Sequence, residues 1–70
     1  MNLTINGEKK SISQTQEKLT IISLIKILGH DPRLIVVEFN GLIVPPNDWA
    51  QTEVKDGHTL EIVTIVGGGS

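Results

Sequence analysis

The sequence predicts an α+β domain, a mixed sheet of four to five strands with one helix packed on one face. Three observations carry this. Short alternating or apolar runs recur between Asn-Gly, Pro-Pro and Asp-Gly breaks. A single segment has apolar residues at a 3.6-residue period. That segment falls after the first two strand-like runs, so the order reads β-β-α-β-β-β.

The elements follow in order. Leu3-Thr4-Ile5 alternates apolar and polar side chains, as a half-buried strand does. Asn6-Gly7 is a hairpin turn, because both positions tolerate positive φ. Glu8 to Ser13 is the returning strand, with Ile12 facing inward. Gln14 to Lys18 is polar and reads as a loop. Thr20 is placed to cap a helix through its hydroxyl. Ile21, Leu24, Ile25 and Leu28 then recur at i, i+3, i+4 and i+7, one apolar face, with Ile22 and Ile27 off it. Gly29 suits the position after the helix and Pro32 forbids its continuation.

Leu34 to Phe39, apolar except for Glu38, reads as a buried central strand. Leu42-Ile43-Val44 is a short strand that Pro45-Pro46 ends, since proline cannot donate to a ladder. Asn47 to Ala50 fits one helical turn, and Asp56-Gly57 is a further turn. His58 to Val66 is the last strand. Alternation puts Leu60, Ile62 and Val66 on one of its faces and Val63 and Ile65 on the other. This order of elements is that of the β-grasp, or ubiquitin-like, architecture. It divides the chain into a β-grasp domain, 1–66, and a flexible glycine tail, 67–70.

Composition narrows the function. Seventy residues allow one domain, and with no Cys there are no disulfides or thiolate metal sites. The core must be aliphatic, with Phe39 and Trp49 as the two aromatics and Trp49 read as a lid over it. Six basic against eight acidic residues, a net charge of −2, argue against nucleic-acid binding, which needs a basic stripe. The N-terminus lacks the pattern of a signal peptide, and no apolar run approaches the roughly 20 residues of a membrane helix. A cytoplasmic protein without membrane association is expected. His30 and His58 have no accompanying nucleophile or ligand pattern, so no catalytic residue and no metal site is assigned. His30 is read as solvating the helix end, and His58 as a solvated residue starting the last strand. The remaining chemical handle is the end of the chain, where an ordered strand gives way to Gly67-Gly68-Gly69-Ser70. Glycine lacks Cβ, so such a tail can thread a narrow channel.

A compact β-grasp with a glycine tail resembles two sulfur carrier families, ThiS and MoaD. Asn40-Gly41-Leu42-Ile43-Val44-Pro45, Trp49, Asp56-Gly57 and Val66-Gly67-Gly68-Gly69 look like the ThiS pattern. The resemblance implies a carrier, not an enzyme. No cofactor would be bound. An E1-like, ThiF-type adenylyltransferase would use ATP to adenylate the terminal glycine carboxylate. A persulfide from a donor such as a cysteine desulfurase would convert it to a thiocarboxylate. A ThiG-type thiazole synthase would then take the sulfur for the thiazole of thiamin. Gly69 and Gly68 are the expected carrier end, with Gly67 as tail. The family ends in Gly-Gly, so Ser70 is clipped first, tolerated by the partner, the mark of a different carrier state, or a linker remnant, and Gly69 is taken as the functional terminus. The alternatives are a molybdopterin-synthase small-subunit-like carrier with the same terminal chemistry, or a non-catalytic β-grasp binding module. Val63 and Ile65, on the strand leading into the tail, are candidate partner contacts, and Val63→Asp is expected to weaken partner binding without unfolding the domain.

Overall fold

The computed structural model describes residues 1–13 and 18–65. Five strands, β1 (Asn2–Ile5), β2 (Glu8–Ser11), β3 (Ile35–Phe39), β4 (Leu42–Val44) and β5 (Thr59–Thr64), and one helix, α1 (Ile21–Leu28), form the domain. The sheet order is β2-β1-β5-β3-β4. β1 and β5 run parallel, and every other neighbouring pair is antiparallel. This is the expected β-grasp, with all five strands in a single sheet.

The hairpin forms where expected, with Asn6 and Gly7 both at positive φ, 53° and 80°. Its ladder runs past β2: the Met1 ammonium donates to the Ile12 carbonyl at 3.2 Å, and the Ile12 N–H donates to the Met1 carbonyl at 2.8 Å. The named strand nevertheless stops at Ser11, two residues short of the expected end, while Ile12 is buried as expected. β2 itself is exposed throughout, and its Lys9 and Lys10 discourage edge pairing with another chain.

α1 starts on its expected cap. The Thr20 hydroxyl accepts from the Ser23 N–H at 3.3 Å. It ends in a Schellman arrangement around Gly29, whose φ is +82°. There the His30 N–H donates to the Ile25 carbonyl, and the Gly29 N–H to that of Lys26, both at 3.1 Å. Pro32–Leu34 then forms a 3-10 turn that the Asp31 carboxylate caps at the Arg33 N–H, 2.9 Å away. Leu34 therefore lies outside β3 and is exposed, which corrects the expectation that the strand begins there. Its carbonyl still accepts from the Ile65 N–H, at 2.6 Å.

The core lies between α1 and one face of the sheet. It contains Leu3 and Ile5 of β1, Ile21, Leu24 and Ile25 of α1, Ile35 and Val37 of β3, and Leu60 and Ile62 of β5. Ile12, Trp49 and Val54 close it at the edges. Trp49 is the expected lid: it is buried, and its indole N–H donates to the Val44 carbonyl at 2.8 Å. It follows a 3-10 turn at Pro46–Asp48, one residue earlier than the helical turn expected at 47–50. Backbone bonds from Ile21 to Thr52, 3.1 Å, and from Val54 to Leu19, 2.7 Å, strap the 49–54 segment to the start of α1.

Two further expectations are corrected. The central strand is β5, not β3. β3 is also covered on one face only, so Val36 is half-buried and not enclosed. An apolar run does not distinguish a strand buried on both faces from one whose outer face stays bare. β5 begins at Thr59, because the His58 N–H closes a turn onto the Lys55 carbonyl. The expected strand end at Val66, the glycine tail and most of the expected 14–18 loop lie outside the described residues.

Candidate functional site

The site is the open face of the sheet and the end of β5 from which the tail departs. Two asparagines fix β5 along its length. Asn6 leaves β1 at positive φ and turns its amide onto the Ile62 backbone: its Oδ1 accepts from the Ile62 N–H at 2.7 Å and its Nδ2 donates to the Ile62 carbonyl at 3.1 Å. The side chain thus completes the ladder where β1 has ended. Asn40, also at positive φ, does similar work from the β3–β4 turn. Its Oδ1 accepts from the Thr59 N–H at 3.1 Å, and its own N–H donates to the Thr59 carbonyl at 2.8 Å. Sequence reasoning read Asn6 as a turn former and Asn40 as a strand boundary and the start of the ThiS-like segment, and neither as a partner of the last strand. The signal available was Asn, not Gly, at the first position of each Asn-Gly pair, since Asn can occupy αL and also donate and accept.

The register of β5 against β3 sets the open face. Val36 stands opposite Val63 and Glu38 opposite Glu61. Across β3, Ile43 stands opposite Glu38. Val63, Ile65 and Ile43 are exposed, at 54%, 52% and 68%. The two residues singled out as candidate contacts, Val63 and Ile65, are therefore both on the solvent side and adjacent to the tail. Around the β4 edge the apolar surface continues into a groove of about 600 Å³ that reaches Pro45, Pro46 and Trp49. Of the residues off the core face of α1, Ile27 is exposed and Ile22 packs against the core and lines this groove. Gly67, Gly68 and Gly69, assigned as the carrier end, lie outside the described residues.

Other polar groups have structural partners. His58 Nδ1 accepts from the Lys55 N–H at 3.0 Å, and its ring meets Phe39 edge-on, with centroids 4.8 Å apart. His58 is thus half-buried and precedes the strand it was expected to start. The Asp31 carboxylate is held below the usual carboxylate range by side-chain hydrogen bonds from Arg33, then by the Arg33 backbone N–H. No group of three or more His, Cys, Asp and Glu capable of holding a metal occurs among the described residues. No described helix is long and apolar enough to cross a membrane.

Fold and site together define a small β-grasp domain with one bare sheet face. The ThiS family model matches residues 3–69, and the chain belongs to the ThiS family. It is 33% identical to the thiamine biosynthesis protein (ThiS) of Geobacter metallireducens, whose crystal structure superposes with a TM-score of 0.83 over 99% of this chain and 100% of that one. It is 46% identical to a thiazole synthase of Paramagnetospirillum magneticum over 70 residues, which are all of this chain and 21% of the synthase's length. It is 33% identical to the uncharacterized protein ycf40 of Porphyra purpurea over 69 residues, 99% of this chain and 93% of that protein.

Proposed function

We propose that the protein is a sulfur carrier of thiamin biosynthesis whose reactive group is the carboxylate of Gly69. The observation that carries this reading is the way β5 ends. Its last ladder pair is Thr64–Ile35, one further bond joins Ile65 to Leu34, and the sequence then runs directly into Gly67-Gly68-Gly69. The family match ending at Gly69, one residue before Ser70, supports Gly69 as the terminus. The presence of a related segment within a thiazole synthase supports thiazole formation over the molybdopterin alternative.

A carboxylate is a poor electrophile, so it needs activation in a partner's site. An E1-like enzyme supplies ATP: the carboxylate oxygen attacks the α-phosphorus, pyrophosphate leaves, and an acyl adenylate forms. A persulfide from a desulfurase attacks the acyl carbon and AMP leaves. Cleavage of the S–S bond by a thiol frees the thiocarboxylate, which thiazole synthase consumes. The chain itself contributes a slim, presentable end and a grip for each enzyme.

The test is intact-mass measurement after incubation with an E1-like adenylating enzyme, ATP and a sulfur donor. A chain ending at Gly69 is expected to gain the mass of one oxygen exchanged for sulfur, and a chain ending at Ser70 to convert poorly. Equal conversion with Ser70 retained would overturn the assignment of Gly69. A non-catalytic binding module predicts no conversion of either form.

A further inference from the structure

We propose that the E1-like adenylating enzyme docks on the open sheet face by setting an arginine, ringed by apolar side chains, between Glu38 and Glu61. The proposal rests on the carrier reading above. Glu38 and Glu61 stand directly opposite each other across β3 and β5. Such neighbours have Cβ atoms about 4.5–5.5 Å apart, and like charges there are destabilising. All six Lys and Arg residues fall within the described residues, yet the ion pairs among these are Lys10–Glu8 and Arg33–Asp31. Lys9, opposite Thr4, lies one strand beyond β1 and makes no ion pair with either glutamate. The domain thus keeps an uncompensated pair of carboxylates in the middle of its sheet.

What surrounds the pair matters as much. The next pair on this face is Val36–Val63, with Ile65 beyond it, and Ile43 flanks Glu38 on the other side. The carboxylates therefore border an apolar patch, with Thr59 and Thr4 of the same face on their other side. A purely apolar partner would bury two unpaired charges, at a large desolvation cost. A second copy stacked face to face about a two-fold axis through the patch would bring four carboxylates together, because such an interface repeats the same surface. Nucleic acid would be repelled. A guanidinium satisfies the geometry: its planar fork carries five donors, can bond two carboxylates at once, and is weakly hydrated enough to be buried. The patch also runs along β5 to Ile65. From there to Gly69 is four residues, which reach at most roughly 13–14 Å. An enzyme holding the end of the tail in its active site therefore lies within that distance of Ile65, which is one end of this patch.

The experiment uses whichever form of the chain, ending at Gly69 or Ser70, the E1-like enzyme adenylates. Pyrophosphate release is followed against carrier concentration. For E38Q/E61Q, KM is expected to rise roughly tenfold or more, with kcat the less affected, while the urea midpoint stays level or rises. The parent's KM should climb with salt and that of E38Q/E61Q should not. Val63→Asp should raise KM likewise, and Glu8→Gln, on the edge strand, should not. A KM within twofold of the parent for E38Q/E61Q would overturn the proposal alone. So would a parent that sediments as a dimer and becomes monomeric in V63D. A chain adenylated in neither form would overturn the carrier reading and this proposal together.

Discussion

Replacing Asn6 tests whether β5 is held by a side chain standing in for a strand. Asn6→Gly keeps the positive φ but removes both amide bonds to Ile62, at 2.7 and 3.1 Å. Two hydrogen bonds at about 0.5–1.5 kcal/mol each give a loss of about 1–3 kcal/mol. The added freedom of Gly in the unfolded chain contributes about 0.5–1 kcal/mol more. Asn6→Ala removes the same bonds and forces a Cβ into the left-handed region at φ 53°, for about 1–2 kcal/mol beyond the hydrogen bonds. A domain of 70 residues has in all roughly 4–10 kcal/mol, so N6A should remove a large share of it. The assay is urea denaturation with the slope held constant, together with hydrogen exchange at the Ile62 amide. The expected stability order is parent, then N6G, then N6A, with Ile62 losing protection in both. N6G within about 0.3 kcal/mol of the parent would refute the reasoning, because the bonds would then contribute nothing net.

Three other outcomes are expected. Trp49→Phe leaves the Val44 carbonyl without its 2.8 Å donor and should cost about 1–3 kcal/mol, against about 3–5 for Trp49→Ala. Circular dichroism is the probe, as Trp49 is the single tryptophan; equal losses would show that the hydrogen bond, absent from both variants, accounts for the whole effect and the lost volume for none of it. Gly29→Ala meets no atom within 4 Å, so its cost should be the αL penalty of about 1–2 kcal/mol, read as a lower melting temperature with an unchanged native spectrum. Asp31 is depressed in the folded state, first by the Arg33 side chain. Its contribution is therefore present above the unfolded value, 3.8, and fades as pH falls through the folded one. Asp31→Asn should lower the melting temperature slightly at neutral pH, converge with the parent in acid, and so flatten the fall below about pH 4; an identical acid limb in D31N would remove the pair from the account.

Much of the fold was legible because local chemistry and burial agree along this chain. Thr20, the Ile21/Leu24/Ile25/Leu28 stripe and Gly29 each signal the same helix, and each is where it should be. The glycine tail and the family pattern around Asn40 and Trp49 point to a carrier from the sequence alone. Legibility ran out where a boundary depends on a competing turn. Leu34 is as apolar as Ile35, but Pro32 and the Asp31 cap draw it into a 3-10 turn. Val54 is buried through its strap to Leu19, a contact across 35 residues that no local pattern encodes.

By itself the sequence determined the elements, the core face of α1, and that Val63 and Ile65 share one face of the last strand, since these follow from periodicity, caps and turn chemistry within a few residues. Only the tertiary structure decided which strands are neighbours. Parallel pairing of β1 with β5 makes β5 the central strand, turns Asn6 into a ladder surrogate, and aligns Glu61 with Glu38. Those relations join residues 23 to 56 positions apart. They are set by how one apolar face folds over one helix, and a periodicity read along the chain carries no record of them.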